Sequence, residues 1–106
     1  MDLAGRVIVI TGAASGIGRA MVLRFAKEAP AHLVCVDIDG PGAEATAAEV
    51  GGTGFRIDVA REAEIAQLIE TVERDIGPID LFCSNAGISV EGGVEVPDAD
   101  WQRIWE

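Results

Sequence analysis

Four short strand-like runs, separated by stretches with helical spacing, constrain the fold of this chain most. The runs cover residues 6–11, 33–36, 54–58 and 80–84. The clearest helical stretch, over 61–76, carries its apolar residues on one face at Ile65, Leu68, Ile69, Val72 and Ile76. Strands that alternate with helices form β-α-β units, because parallel strands need a crossover connection. The sequence therefore predicts one α/β domain built on a parallel sheet.

The pattern of apolar and polar residues within the runs predicts the strand order. The first, second and fourth runs are continuously apolar, as in strands covered on both faces, whereas Phe55-Arg56-Ile57 alternates like an edge strand. Right-handed crossovers then favour the order 3-2-1-4 in a Rossmann-type doubly wound sheet. In that order Cys35 and Cys83 lie about 10 Å apart, two strand spacings, which is too far for a disulfide. Both cysteines are therefore interpreted as small core side chains.

Turn residues predict the ends of the first two helices. The first helix is expected over 16–29, where Pro30 stops it. The second is expected to begin at the N-cap Asp39, with Pro41 in its first turn, and to end at Gly51.

The last part of the chain is predicted as a loop over 88–97 and a helix that Asp98 caps and that contains Trp101 and Trp105. The fourth strand would then be a bare apolar edge, which natural domains avoid. We therefore expect residues 1–106 to be the N-terminal half of a longer single domain.

The charge balance limits the classes of partner. The formal net charge of −10 argues against nucleic acid and against anionic membrane surfaces. No apolar run approaches the ~20 residues of a membrane span, and the N-terminus lacks the pattern of a signal peptide. A cytoplasmic protein is expected. The lone His32 and the two cysteines have no metal-ligand spacing, so no metal site is predicted.

The first turn from strand to helix, residues 11–18, reads Thr-Gly-Ala-Ala-Ser-Gly-Ile-Gly. Gly12 permits a tight turn, Gly16 lets the backbone approach a pyrophosphate, and Gly18 allows close packing of the helix. The first N–H groups of the helix would face the anion. The spacing is neither G-x-G-x-x-G nor a P-loop. The alternative is a set of ordinary turn glycines.

An acidic residue ends the second strand. Asp37 lies 19 residues after Gly18, close to the ~20 expected of an acid that binds the adenosine ribose of NAD. The alternative is a strand-end cap, a role that Asp39 could fill instead. NADP would need a base nearby, and neither Ser15 nor Ile38 is basic. The sequence therefore predicts NAD as the cofactor.

These motifs together resemble the short-chain dehydrogenase/reductase family over essentially the whole chain. Residues 11–18 match its T-G-x-x-x-G-x-G, and Asp58-Val59 is similar to its Asp-Val/Leu pair. Ser84-Asn85-Ala86-Gly87 is similar to its N-N-A-G. Pro30 departs from the glycine that usually follows the first helix. The resemblance implies an oxidoreductase that transfers hydride between NAD(H) and a small alcohol or carbonyl substrate, working as a homo-oligomer, a dimer or tetramer.

The resemblance also implies the residues that contact the cofactor. They are Gly12, Ser15, Gly16, Ile17, Gly18, Asp37, Asp58, Val59, Asn85, Ala86 and Gly87. The Asp58-Val59 pair would hold the adenine, although Asp58 could equally cap the next helix. Thr11 and Asn85 would tie the first and fourth strands together, and Asn85 could be purely structural.

The catalytic residues of the family are absent from this sequence. The chemistry needs a Tyr as proton donor, a Lys four residues later and a Ser, but the chain contains no Tyr and its one Lys is Lys27. No catalytic residue is therefore assigned, and the 106-residue chain itself is predicted to be inactive. The alternative is a non-catalytic dinucleotide-binding module. A methyltransferase would share the layout but would need a different glycine turn.

Overall fold

The computed structural model describes residues 2–84, and beyond them the backbone of 87–90 and 94–96. The elements are β1 (Val7–Thr11), α1 (Gly16–Ala26), β2 (His32–Asp37), α2 (Gly40–Val50), β3 (Thr53–Arg56), α3 (Glu62–Asp75), β4 (Leu81–Ser84), β5 (Gly87–Val90) and β6 (Val94–Val96). The sheet order is β3-β2-β1-β4-β5-β6, and β3, β2, β1 and β4 are mutually parallel. The predicted α/β fold and the order 3-2-1-4 are confirmed.

Helices cover both faces of the parallel strands, because successive side chains of a strand point to opposite faces. On one face Ile8 and Ile10 pack in a core that also holds Met21 and Phe25 of α1. On the other face the valines of β1 and β2 pack with Leu68 of α3. Burying such a side chain stabilises the fold by roughly 1.5–3 kcal/mol. The sheet is doubly wound, as predicted.

The two cysteines lie in the core on either side of β1. Ile10 pairs with Cys35 on β2 and with Cys83 on β4, and both thiols are buried and free. Burial raises the pKa of the Cys35 thiol to about 11 and moves the pKa of Cys83 in the same direction. The interpretation as small core side chains is confirmed.

The ends of the first two helices differ in how well the sequence predicted them. Asp39 caps α2 through the N–H of Gly42, and Gly51 ends α2 in the left-handed conformation, both as expected. The prediction that α1 continues to residue 29 is wrong, because the helix ends at Ala26. Ala29 takes a left-handed φ of 54°. Pro30 disfavours helical backbone in the residue before it, so α1 ends ahead of the proline.

The fourth strand is not a bare edge. β5 pairs with it in antiparallel register, from Leu81 opposite Val90 to Ser84 opposite Gly87, and β6 pairs with β5. The predictions of a loop over 88–97 and of an unpaired β4 are therefore wrong. β-branched residues recur through this acidic, glycine-rich stretch, and their backbone groups satisfy the edge of β4. The predicted helix with Trp101 and Trp105 lies outside the described residues.

Candidate functional site

Three of the predicted contact segments meet at the carboxyl edge of the sheet. The glycine-rich loop, defined here as residues 12–18, follows β1, Asp37 ends β2, and Asp58-Val59 comes shortly after β3. Because these strands are parallel neighbours, their carboxyl ends lie side by side. Open α/β sheets bind ligands in the crevice at this edge.

The glycines of the loop have distinct structural roles. Gly12 and Gly16 have φ values of 66° and 59°, which other residues adopt only at a cost. A Cβ at Gly16 would meet nothing within 4 Å, so open space lies over this backbone. At Gly18 a Cβ would collide with the carbonyl oxygen of Gly12. Gly18 therefore lets α1 approach the loop, and Gly16 leaves room for a ligand.

The N-terminus of α1 is open to solvent. Ser15 is its N-cap but makes no capping hydrogen bond with its side chain, and the first turn contains no acidic residue. Ser15, Gly16 and Ile17 are all exposed. The first N–H groups of a helix have no intrahelical acceptor, and the helix dipole makes this end positive. The arrangement can hold a phosphate group.

Asp37 lies beside this helix end, half-buried. Its Oδ2 accepts a hydrogen bond from the Ala14 N–H at 3.0 Å, and its Oδ1 accepts one from the Asp39 N–H at 2.9 Å. Each carboxylate oxygen has capacity for a second bond, so both can still accept from the hydroxyls of a ribose. The cap of α2 is Asp39, whose Oδ1 accepts from the Gly42 N–H at 3.0 Å.

Asp58 has local partners at the start of α3. Its Oδ1 accepts from the Ala60 N–H at 3.0 Å, and its Oδ2 lies 3.6 Å from the Nε of Arg61. Glu64 accepts from the Asp58 N–H at 2.9 Å. These bonds stabilise a turn that precedes α3, whose N-cap is Arg61 and has no side-chain capping bond, so the alternative that Asp58 caps the helix is not met. The contact of Asp58 with adenine stays a prediction.

Exposed apolar side chains gather at the same edge. Within residues 2–84, large apolar side chains that are at least a third exposed occur at Ile17 (72%), Ile38 (58%), Val59 (44%) and Ile69 (36%). All but Ile69 adjoin the site. Each of these three side chains lies within or directly after one of the segments at this edge of the sheet. Ile38 was not predicted as a contact residue, although a bulky apolar residue directly after a strand-end acid was the available signal.

The remaining predicted residues lie towards β4. The hydroxyl of Thr11 donates to the carbonyl oxygen of Cys83 at 3.3 Å, which joins β1 to β4 as the resemblance implied. Gly87 is the first residue of β5, opposite Ser84. Asn85 and Ala86 lie outside the described residues.

The chain belongs to the short-chain dehydrogenase family, whose model matches residues 6–106. It is 37% identical to D-threitol dehydrogenase of Mycolicibacterium smegmatis over 93% of its own length. It spans only 40% of that relative.

Two solved structures share the fold. Hydroxysteroid dehydrogenase from Escherichia coli matches 76% of this chain with a TM-score of 0.68 and 30% identity, and the match covers 35% of that protein. A protein from Brucella melitensis 16M described as ribose-5-phosphate isomerase matches 83% with a TM-score of 0.74 and 28% identity, over 34% of its length. The two descriptions name different reactions, so the function has to be argued from the site.

Two absences hold for the part of the chain that the structure describes. None of the helices there combines the length and apolar composition of a membrane span. No group of three or more potential metal ligands was found in the same part of the chain.

Proposed function

We propose that this chain is the NAD-binding half of an oxidoreductase that moves hydride between NAD(H) and a small alcohol or carbonyl substrate. The observation that carries the proposal is the open, uncapped N-terminus of α1 beside the Asp37 carboxylate. An anion site and a ribose-binding acid at adjacent strand ends are the two groups that a dinucleotide needs. Membership of a dehydrogenase family supports the reaction class.

The residues present fit the cofactor. A Cβ at Gly16 would project into open space and meet nothing within 4 Å, so the backbone there is accessible to a phosphate group. In the proposal Gly12 to Gly18 hold the pyrophosphate, with Ser15 and Ile17 along the nicotinamide-side ribose. Asp37 accepts from the adenosine ribose, and Asp58 and Val59 hold the adenine. Ala86 and Gly87 pack against that ribose, and Asn85 ties the first and fourth strands together at the mouth of the site. The nicotinamide ring supplies the hydride acceptor or donor when it is bound.

Proton transfer requires residues that this chain does not contain. It has no Tyr, and Lys27 lies exposed at the C-cap of α1. We therefore propose that the 106 residues are the first half of a longer domain and are inactive alone. The complete protein would be a cytoplasmic homo-oligomer, a dimer or tetramer, that acts on a small molecule and not on nucleic acid or membranes.

One experiment separates the oxidoreductase from a non-catalytic dinucleotide-binding module. The complete protein is titrated with NAD and then assayed for NADH formation with a panel of alcohols. The proposal predicts saturable NAD binding and turnover of at least one substrate class. Binding without turnover over a broad panel would favour the module, and no binding would reject both.

A further inference from the structure

Gly42, in the first turn of α2, packs against the glycine-rich loop. Gly42 does not have a positive φ, so conformational freedom is not the reason for a glycine here. A Cβ at this position would lie 2.7 Å from the Cβ of Ala14 and 2.5 Å from the Oδ2 of Asp39. Atoms in a folded core do not pack so closely. The site therefore has no room for a side chain unless Ala14 or Asp39 moves.

Ala14 lies in the part of the loop that is fastened to β2. The Ala13 N–H donates to the carbonyl oxygen of Val36 at 3.0 Å, and the Ala14 N–H donates to the Asp37 Oδ2 at 3.0 Å. The next three residues, 15–17, are exposed. One side of the loop is thus held by the carboxyl end of β2, while the other side faces solvent.

We propose that Gly42 is a positioning residue for the glycine-rich loop, and this proposal rests on the dinucleotide site proposed above. A side chain at 42 displaces Ala14 and strains its bond to Asp37. The displacement is passed along the loop to the N–H groups at the start of α1. Gly42 thereby controls the affinity for a dinucleotide from the neighbouring helix, by way of Ala14.

The test uses four variants of the complete protein. Gly42→Ala introduces the clash, Ala14→Gly removes the opposing Cβ, and the double variant combines them. Gly51→Ala is the matched control: it makes the same change at the C-cap of the same helix, where φ is 70° and a Cβ meets nothing within 4 Å. Each variant is measured for its Kd for NAD and for its thermal unfolding.

Gly42→Ala is expected to weaken NAD binding about tenfold, which is about 1.4 kcal/mol and within the range of coupling between contacting residues. The double variant should recover most of that affinity even if it stays less stable, since Asp39 still meets the new methyl group. Gly51→Ala should lose stability and keep its Kd. A purely structural role would give a Kd that follows stability in all four proteins, and that result would overturn the proposal.

Hydrogen exchange of the Ala14 amide, measured in the absence of nucleotide, separates the positioning role of Gly42 from the proposed function in NAD binding. Gly42→Ala should speed this exchange at least severalfold, because the bond to Asp37 is strained, and Gly51→Ala should not. If the wild-type protein does not bind NAD but this exchange changes as expected, the proposed function fails and the coupling stands. If NAD binds and neither the exchange nor the Kd responds to Gly42→Ala, the coupling is wrong.

Discussion

The N-termini of α1 and α2 lie side by side and are built differently. At α2, the Asp39 carboxylate accepts from the Gly42 N–H, as an N-cap normally does. At α1 the N-cap Ser15 makes no such bond. The third helix also begins without a side-chain cap, at Arg61, but Glu62 and Glu64 place negative charge in its first turn, which disfavours an anion there.

A capping bond contributes about 0.5–2 kcal/mol to a helix, so α1 lacks a stabilisation that α2 has. Its packing compensates, since Met21, Val22 and Phe25 are almost fully buried. A fold that stabilises a helix through its core can leave the N–H groups of the first turn to a ligand. The difference between the two helix ends thus indicates which of them binds an anion.

The largest effect on NAD binding is expected when a side chain fills the open space at the N-terminus of α1. Gly16→Val should weaken NAD binding at least a hundredfold, roughly 2.7 kcal/mol, because the side chain occupies the pyrophosphate position. Gly51→Val is the control, since both glycines have a left-handed φ and open space around the Cβ position. Both variants should lose stability, and only the first should lose affinity. If Gly16→Val unfolds the protein, Gly16→Ala and Gly51→Ala make the same comparison with a smaller side chain.

The two aspartates of the β2–α2 turn should separate cofactor choice from helix stability. A carboxylate about 4 Å from the 2′-phosphate of NADP is repelled by roughly 4 kcal/mol at an effective dielectric near 20, and solvent reduces this. Wild type should therefore prefer NAD by more than about tenfold. Asp37→Ala should reduce the difference in affinity between NAD and NADP by weakening NAD binding. A further Ile38→Arg should shift the preference towards NADP.

Asp39→Ala is the control for this pair. It removes the cap of α2 and should destabilise the protein by about 1 kcal/mol with the cofactor preference kept. Equal Kd values for NAD and NADP in the wild type would show that Asp37 does not read the ribose.

A carboxylate at the N-cap of α1 should make its N-terminus resemble that of α2. Ser15→Asp should stabilise α1 by about 0.3–1 kcal/mol through the helix dipole. It should also weaken NAD binding about tenfold, because the new carboxylate and the pyrophosphate of NAD are both negative and repel each other. Ser15→Ala carries no charge and should weaken NAD binding less than Ser15→Asp, by no more than the loss of one hydroxyl hydrogen bond, about 0.5–1.5 kcal/mol. Equal losses in both variants would mean that charge at this position is irrelevant.

The smallest effect concerns the opposite ends of the same helices. Gly51 and Ala29 both take a left-handed φ, at 70° and 54°, but only glycine adopts it freely. Ala29→Gly should therefore raise the free energy of unfolding by about 0.5–1 kcal/mol, the left-handed penalty less the greater freedom of an unfolded glycine. Thermal unfolding measures this, and NAD affinity should not change. A loss of stability would mean that Ala29 is not strained.

The sequence predicted those features of the fold that depend on residues close together in the chain. Strand order followed from burial patterns, and the ends of α2 followed from Asp39 and Gly51. The position of Gly42 against Ala14 was not predictable, because it depends on how the start of α2 packs against the loop that precedes α1. The second partner of Asp37, the Ala14 N–H, has the same origin. The hairpin of β5 and β6 was missed because its composition is typical of a loop.

Whether NAD binds at the N-terminus of α1, and not at those of the other helices, can be tested within one protein. NAD is titrated into the complete protein, and the backbone amide signals are followed by NMR. We expect the largest shifts, and new protection from exchange, on Gly16, Ile17 and Gly18 at the start of α1. At saturation, largest shifts at the start of α3, on Glu62 to Glu64, or no shift at α1 would contradict it.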